Sequence, residues 1–373
     1  MNIRKRAVFY IAGFDPRGVR HYYSLYKEHA ARQSSINGIE MEVGPRRKVN
    51  QFMYQWNIVA EDNGQKAQTD YCFLAWDDIV RKQWSSGIVS YYLDLLYCIG
   101  FYILNGLVFS FAKSSPKQMM AAFYPVVYLL GSLFLSGYAA SLLYHFFEGW
   151  LGVLSGLILF GITLRGLERF GNRIGVFWLL RIYAFSVRWA KGEVEEMEQR
   201  IDFFAKELAK AVHEHQSYDE ILLVSHSVGT ILSVSVLGRA LADVKDGWEK
   251  FSMITLGECI PLMSFQPQAE GYRQELASIA QNDRIVWHDY TSPIDGACFP
   301  LHNFYKSVGI GDVHHQISFL SPRFHLLFDK IKYKKLRRDW YKTHFLYIMS
   351  TDRLGNYDYF AITAGTKSFR ESI

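Results

Sequence analysis

This sequence of 373 residues contains few cysteines and few charged residues, and each shortage bears on which partners and which compartment we expect. Charged residues make up 21% of the chain against 50% apolar residues, and the net charge of +5 does not indicate a nucleic-acid partner. The cysteines show neither a CxxC spacing nor the pattern of a disulfide framework, so we expect free thiols in a reducing compartment. They are Cys72, Cys98, Cys259 and Cys298.

The first residues do not have the pattern of a secretory signal peptide either. Residues 4–6 are basic, but the apolar run Ala7–Phe14 is broken at Gly13, and no small-residue cleavage site follows it. We therefore predict a core strand there. No internal repeat or low-complexity segment is present. The strongly basic run Lys330–Arg338 predicts a solvated helix face, with contact to anionic lipid headgroups as the alternative.

Three uncharged stretches lie in the middle of the chain: Leu95–Ala112, Gln118–Phe147 and Gly149–Leu164. A helix needs about 20 mostly apolar residues to span a bilayer, and roughly 17 is the lower limit. The stretches are rich in Gly, Ser and Ala, as packed membrane helices are. We predict an inserted membrane domain of helices at 91–189, within a discontinuous globular domain formed by residues 1–90 and 190–373.

The number of crossings follows from the globular halves and from the loop charges. If both halves build one sheet, they lie on the same side of the membrane, so the number is even. Lys113 and Lys117 precede the second stretch and Glu148 follows it. The positive-inside rule then favours two crossings, at about 120–144 and 149–165, with Glu148 outside.

This scheme predicts an integral protein of the inner or cytoplasmic membrane, with the globular domain on the cytoplasmic side. Leu95–Ala112 would be re-entrant or lie in the interface, and so would Gly175–Trp189. Four crossings are the alternative, but they would leave Lys113 and Lys117 outside.

Strands and helices alternate in the globular halves, which predicts an α/β fold with a parallel sheet covered on both faces. Apolar, aromatic and β-branched runs predict the strands, and apolar spacing of three to four residues predicts the helices. The predicted strands are Arg6–Gly13, Gly38–Gly44, Gln51–Ala60, Tyr71–Trp76, Tyr218–Ser225, Ser252–Cys259 and Arg284–Tyr290; the helices are His21–Ser34, Glu193–Gln216 and Val228–Val244.

The segment Ser225-His226-Ser227-Val228-Gly229 is a near match to the G-x-S-x-G nucleophile elbow, with Ser in place of the first Gly. Such a turn places a serine between a strand and a helix, and small residues let the neighbouring backbone pass closely. The context fits, since an apolar strand precedes Ser227 and a helical pattern follows it. The Val228 N–H at the helix start is one candidate oxyanion donor, and the Phe14 N–H after the first strand is the other.

The first strand, its Gly-Phe loop and the elbow resemble the α/β-hydrolase superfamily of lipases and esterases, over residues 1–90 and 190–373 in order of elements. The resemblance implies an α/β-hydrolase-like sheet and the chain order serine, acid, histidine. It also implies an acid after a later strand. Asp295, in the turn after Arg284–Tyr290, fits that place, with Asp289 and Asp283 as alternatives.

The histidine is chosen from several downstream candidates. Thr343-His344-Phe345-Leu346-Tyr347, ahead of a predicted helix, resembles the H-x-x-Y setting of lipases, so His344 is preferred. The alternatives are His302, His314, His315 and His325.

Together these residues predict a serine hydrolase that cleaves an ester or amide of a lipid or another acylated hydrophobic substrate. Ser227 would attack the acyl carbon, His344 would act as base, and Asp295 would orient it. Acyl transfer by the same acyl-enzyme and a non-catalytic membrane adaptor on a hydrolase scaffold are the alternatives. No metal or cofactor is expected, because His213 and His215 face different sides of a helix and His314-His315 lacks nearby carboxylates at ligand spacing.

Overall fold

The chain forms two compact units in the computed structural model, which describes residues 2–147 and 149–371. The core unit comprises Met1–Lys82 together with Arg188–Ile373, and the inserted unit comprises Gln83–Val187. The sequence predicted these boundaries at 90/91 and 189/190.

One sheet of nine strands lies in the described part of the core unit. Its order is β2-β4-β5-β1-β6-β7-β8-β9, and β3 pairs with β4. β4 runs antiparallel to β2, β3 and β5, and the other pairs are parallel. The strands are β1 (Lys5–Ile11), β2 (Glu40–Val43), β3 (Arg47–Lys48), β4 (Met53–Asp62), β5 (Gln65–Leu74), β6 (Glu220–His226), β7 (Phe251–Leu256), β8 (Val286–Tyr290) and β9 (Gln316–Leu320).

The central strands are buried on both faces. Every residue of β6 and β7 is buried, and in β1 only Lys5 is partly exposed. Continuous apolar runs are typical of parallel strands covered on both sides. The predicted α/β class and the mostly parallel sheet are confirmed, while the antiparallel direction of β4 was not predicted.

Helices of the core unit cover this sheet. In α8 the buried side chains Met197, Ile201, Phe204 and Leu208 recur every three to four residues, which is the spacing of one helix face. The helices are α1 (Gly18–Asn37), α2 (Asp77–Lys82), α8 (Glu196–His213), α9 (Gly229–Asp243), α10 (Pro261–Ser264), α11 (Glu270–Ala280), α12 (Phe304–Ser307), α13 (Phe324–Leu327), α14 (Lys330–Leu336), α15 (Trp340–Phe345) and α16 (Tyr359–Ala364).

The basic run Lys330–Arg338 forms α14 and the turn after it. No residue of α14 is buried, and Lys332 pairs with Asp352 at 2.6 Å. The prediction of a solvated helix face agrees with this exposure.

The inserted unit consists of helices. They are α3 (Ile88–Leu104), α4 (Leu107–Ser114), α5 (Pro116–Phe147), α6 (Gly149–Arg173) and α7 (Val176–Ala190), whose last residues belong to the core unit. In the described residues α5 and α6 are long and apolar enough to cross a membrane. The predicted crossings at 120–144 and 149–165 fall within them.

The pair α3 and α4 is bent by 81° at a short break around Gly106, whose φ is 66°. The pair is a broken span or a re-entrant loop by its shape and composition. The predicted re-entrant segment Leu95–Ala112 covers this bend. The prediction for Glu148 concerns a residue outside the described ones.

Small residues bring α5 and α6 together. A Cβ on Gly152 would lie 2.8 Å from the Tyr144 carbonyl oxygen, and one on Gly156 would lie 3.0 Å from that of Ala140. Such contacts require glycine and are typical of helix pairs in membranes. Elsewhere on α5, large apolar side chains are exposed, among them Phe134 at 71%.

Candidate active site

Ser227 occupies a tight turn between β6 and α9, with a left-handed backbone at φ 58°. Its N–H donates to the Leu256 carbonyl at 2.9 Å, and its carbonyl accepts from the Thr230 N–H at 2.9 Å and the Thr230 hydroxyl at 2.6 Å. A non-glycine residue in this conformation costs about 1–3 kcal/mol and persists only where its surroundings hold it. These hydrogen bonds hold the Ser227 side chain at the carboxyl end of a central strand.

Two glycines let the backbone pass close to this turn. A Cβ on Gly13 would lie 2.7 Å from the Ser227 Cβ, and one on Gly229 would lie 2.5 Å from the carbonyl oxygens of Ile11 and Ala12. Cβ atoms in proteins do not approach other heavy atoms so closely. The loop after β1 and the start of α9 therefore depend on glycine at these positions.

Ser225 stands where the elbow motif has its first glycine. The residue is buried, and its hydroxyl shares a hydrogen bond of 2.8 Å with the Ser233 hydroxyl in α9. The fold thus accommodates a side chain at this position and gives it a polar partner, as a buried hydroxyl requires.

Asp295 and His344 form a buried pair. His344 Nδ1 lies 2.8 Å from Asp295 Oδ2, and the two side chains are 1% and 0% exposed. The same carboxylate accepts hydrogen bonds from the Tyr347 hydroxyl at 3.2 Å and from the Ala297 N–H at 3.0 Å. Burial by itself would raise the pKa of Asp295, but His344 and the Ala297 N–H hold that pKa below its ordinary value.

The loop after β7 lies against both this pair and the turn of Ser227. Leu256, which accepts the Ser227 N–H, is followed by Gly257 with a φ of 57°. A Cβ on Gly257 would lie 3.2 Å from Asp295 Oδ2 and 3.4 Å from His344 Cε1. The three residues named for the serine, acid and histidine are thus gathered at the carboxyl ends of β6, β7 and β8.

His226 provides a second contact between the elbow and His344. Its Nε2 donates to the His344 carbonyl oxygen at 2.7 Å, and the two ring centroids are 4.8 Å apart. Burial, and then the nearby His344, lower the pKa of His226 to about 3, so its imidazole is neutral. His226 fixes the backbone of His344 without contributing charge.

The two candidate oxyanion donors lie after neighbouring parallel strands. Val228 is the residue before the first turn of α9, and Phe14 follows Gly13 in the loop after β1. The Trp76 indole N–H donates to the Ala12 carbonyl at 2.9 Å, and the rings of Phe14 and Trp76 lie 6.2 Å apart. Backbone N–H groups at a helix start and on a held loop are suited to stabilise a developing negative charge.

The loop after β1 also contacts the helix that carries His344. Buried Asp15 accepts from the Arg17 side chain at 2.9 Å and from the Tyr22 hydroxyl at 3.0 Å. The Arg17 guanidinium lies 5.1 Å from the centre of the Phe345 ring, beside His344. This ion pair with its cation–π contact holds the loop against α15.

Cys259 is the thiol beside the candidate nucleophile. It lies within hydrogen-bonding reach of the Ser227 hydroxyl, and burial, with Glu258 and Asp295 nearby, raises the pKa of the thiol well above its ordinary value. A thiol in this state is a poor nucleophile. Within the described residues, no group of three or more His, Cys, Asp or Glu side chains can hold a metal ion.

Two further acids are buried near the carboxyl ends of β7 and β8. Glu258 and Asp289 are both fully buried, and the Thr255 hydroxyl donates to Asp289 at 2.7 Å. Burial raises the pKa of Asp289 to about 8, and burial together with Asp289 raises that of Glu258. Two carboxyls in an apolar setting keep protons that they would lose in water.

The alternative acids and histidines lie elsewhere. Asp289 bonds to Thr255, and Asp283 is exposed in the turn before β8. The alternative histidines form other contacts: His302 packs on Phe299, His314 pairs with Asp312, His315 stacks on Trp287, and His325 is exposed.

His344 lies within one short helix and ahead of another. The sequence predicted that it precedes a helix; it is the penultimate residue of α15, and a 3₁₀ helix, Leu346–Ile348, follows it. The Asp339 side chain accepts from the Lys342 N–H and so caps the start of α15, which is why this helix begins before His344.

Sequence reasoning did not single out the supporting residues His226, Thr230 and Arg17. His226 was visible only as the variable position of the elbow motif. Its contact with His344 joins residues 118 positions apart, so no local pattern indicates it.

Three comparisons with known proteins gave no match. No protein-family model matches the chain. No curated protein matches it. No solved structure matches it either.

Proposed function

We propose that this chain is a membrane-anchored serine hydrolase of the α/β-hydrolase kind, acting on an ester or amide of a lipid or another acylated hydrophobic molecule. One observation carries the proposal: the loop after β7 contacts both a serine with left-handed backbone, at the end of a central strand, and a buried Asp–His pair. Serine hydrolases need this combination because the serine hydroxyl is a weak nucleophile until a base removes its proton.

In the first half of the reaction, Ser227 Oγ attacks the acyl carbon while His344 Nε2 takes the hydroxyl proton. Asp295, bonded to Nδ1, keeps the imidazole in the tautomer that can accept this proton and stabilises the imidazolium. The N–H groups of Val228 and Phe14 stabilise the oxyanion. The bond to the leaving alcohol or amine then breaks, and His344 returns the proton to that group.

In the second half, water attacks the acyl-enzyme. His344 takes a proton from the water, the bond between the acyl carbon and Ser227 Oγ breaks, and the proton returns to Oγ. The products are a carboxylic acid and the free enzyme. An alcohol or amine in place of water would give acyl transfer by the same steps.

The choice of a lipid rests on the inserted unit. It carries two helices that are long and apolar enough to cross a membrane, and it lies in the chain between strands of the sheet. Since β1 pairs with both β5 and β6, the chain leaves and re-enters the sheet on one side of the membrane. The number of crossings is then even, and we infer two, with α5 and α6 as the spans and the bent pair returning to its own side.

Activity-based labelling tests the nucleophile. Detergent-solubilised full-length protein treated with a fluorophosphonate is expected to carry one adduct, on the peptide that contains Ser227. Ser227→Ala should abolish the adduct, whereas Ser278→Ala, which changes a serine far along the chain on α11, should leave it intact. An adduct on another serine, or none in protein that unfolds cooperatively, would refute the proposal.

Product analysis tests the substrate class. Membranes from cells that express the active chain and from cells that express Ser227→Ala are compared by lipidomics. The active chain should deplete an acylated lipid and raise the matching free acid. Formation of a new ester or amide from an added alcohol or amine, in preference to the acid, would identify acyl transfer instead.

A further inference from the structure

An apolar cavity lies inside the inserted unit, between α3, α4, α5 and α7. Its volume is about 170 Å³. It is lined mainly by aliphatic and aromatic side chains, among them Leu95, Ile99, Phe111, Ala122, Val126 and Leu180.

The polar groups in the cavity wall bond to neighbours in the same unit. The Tyr102 hydroxyl pairs with the Ser186 hydroxyl at 3.3 Å, and the Tyr183 hydroxyl accepts from Gln118 Nε2 at 3.1 Å. An apolar cavity of about 150 Å³ stays dry and accepts a hydrocarbon such as benzene. The present cavity has a comparable volume, and its apolar lining favours hydrocarbon over water or a charged headgroup.

The cavity reaches the surface at large apolar side chains. Ile103 of α3 and Phe123 of α5 line it, and they are 61% and 41% exposed. Phe123 belongs to a helix long and apolar enough to cross the membrane, and the neighbouring Val127 and Leu130 are also exposed. Hydrocarbon that surrounds α5 would therefore meet the opening without passing through water.

We propose that this cavity binds one acyl chain of a bilayer phospholipid. The inference rests on the membrane part of the proposed function and does not require Ser227 to be a nucleophile. The ligand chemistry follows from three features: an apolar wall, a volume suited to part of a hydrocarbon chain, and an opening among exposed apolar side chains.

Photocrosslinking in vesicles tests the site. Full-length protein carrying Ser227→Ala, which prevents turnover of the probe, is reconstituted in phosphatidylcholine containing a trace of phosphatidylcholine with a diazirine in the middle of one acyl chain. Mass spectrometry should find adducts on cavity residues such as Leu95 and Val126, and also on the exposed residues Leu130 and Phe134.

Two variants in α5 separate the cavity from the surface. Ala122→Phe places a ring in the cavity and should lower the cavity adducts by about tenfold while the adducts on Leu130 and Phe134 remain. Val127→Phe adds the same ring on the exposed face and should leave the cavity adducts unchanged.

The outcomes distinguish the two proposals. The acyl-chain site would be overturned if protein with an unaltered cavity carried adducts only on exposed residues, or if the cavity adducts persisted in Ala122→Phe. Either result would still support membrane insertion. A protein without adducts anywhere would overturn membrane insertion, and with it this site, while the labelling of Ser227 would still report the hydrolase chemistry.

Discussion

The left-handed backbone of Ser227 has a cost that depends on the side chain. An L-residue in this region is strained by roughly 1–2 kcal/mol relative to glycine, although glycine loses about 0.5–1 kcal/mol through the flexibility of the unfolded chain. Ser227→Gly should therefore unfold with a free energy about 0.5–1 kcal/mol above that of Ser227→Ala, and neither variant should be labelled. Denaturant titration of the two variants checks this difference, and a more stable alanine variant would contradict it.

His226 is expected to act as a positioning residue for His344. His226→Phe removes the donor to the His344 carbonyl, which should lower the free energy of unfolding by about 1–3 kcal/mol because a buried acceptor loses its partner. The folded protein should also react more slowly with the fluorophosphonate. His226→Gln keeps a donor and should recover part of both properties. If His226→Phe lost stability while its folded fraction was labelled at the normal rate, His226 would have a structural role alone.

The buried acid Asp289 predicts a pH dependence of stability. Its folded-state pKa of about 8 lies above that of an unfolded aspartate, so the folded protein keeps a proton that the unfolded chain releases. The free energy of unfolding should therefore fall as the pH rises from about 4 to about 8. One pKa unit corresponds to about 1.4 kcal/mol. The free energy of unfolding of Asp289→Asn, relative to that of the wild type, should therefore increase by at least about 1 kcal/mol as the pH rises through this window. Unfolding curves at pH 5 and pH 8 measure the change, and parallel curves for the two proteins would contradict it.

Single residues differ in how far their sequence context predicts them. The elbow around Ser227 is local, because a strand, small residues and a helix lie within a few positions. Asp295 could be inferred from its place after a strand. His344 was chosen among five histidines on a short resemblance, and only the folding of distant segments, which creates the 2.8 Å contact with Asp295, distinguishes it from the others.

At the scale of elements, the helix pair α5 and α6 depends on close backbone contact. Gly156→Leu would place a side chain against the Ala140 carbonyl and should destabilise the pair by about 1–3 kcal/mol, because packed helices do not tolerate extra volume. Gly161→Leu is the matched control, since its Cβ meets no atom within 4 Å. Thermal inactivation in detergent compares the two. Equal loss in both variants would contradict the assigned contact.

Elements with a strong periodic or continuous apolar pattern were predicted close to their observed bounds, as for β1, β6, α8 and α9. The strand β9 was not predicted, because it is a short edge strand with no fully buried residue. The direction of β4 was also missed. β4 and β5 form a hairpin through Asn63 and Gly64, both with positive φ, and the Asn-Gly pair is the local signal that indicates such a turn.

At the scale of the whole molecule, two crossings predict which loops each side of the membrane can reach. A cysteine in place of Lys117 should react with a membrane-impermeant maleimide only after permeabilisation, whereas Gly149→Cys should react in intact cells. The native cysteines that the structure describes are buried and form a low background. Labelling of both positions from one side would contradict two crossings.

The sheet joins segments that the ribosome makes far apart in time. β1 and β5 can pair early, but the other edge of β1 waits for β6, which follows the whole inserted unit. At about 5–20 residues per second, the chain between Leu74 and Glu220 takes roughly 7–30 s to synthesise. During that interval the nascent chain holds an incomplete sheet while the helices of the inserted unit are synthesised. The two helices that are long and apolar enough to cross a membrane are therefore complete before the turn that holds Ser227 can form.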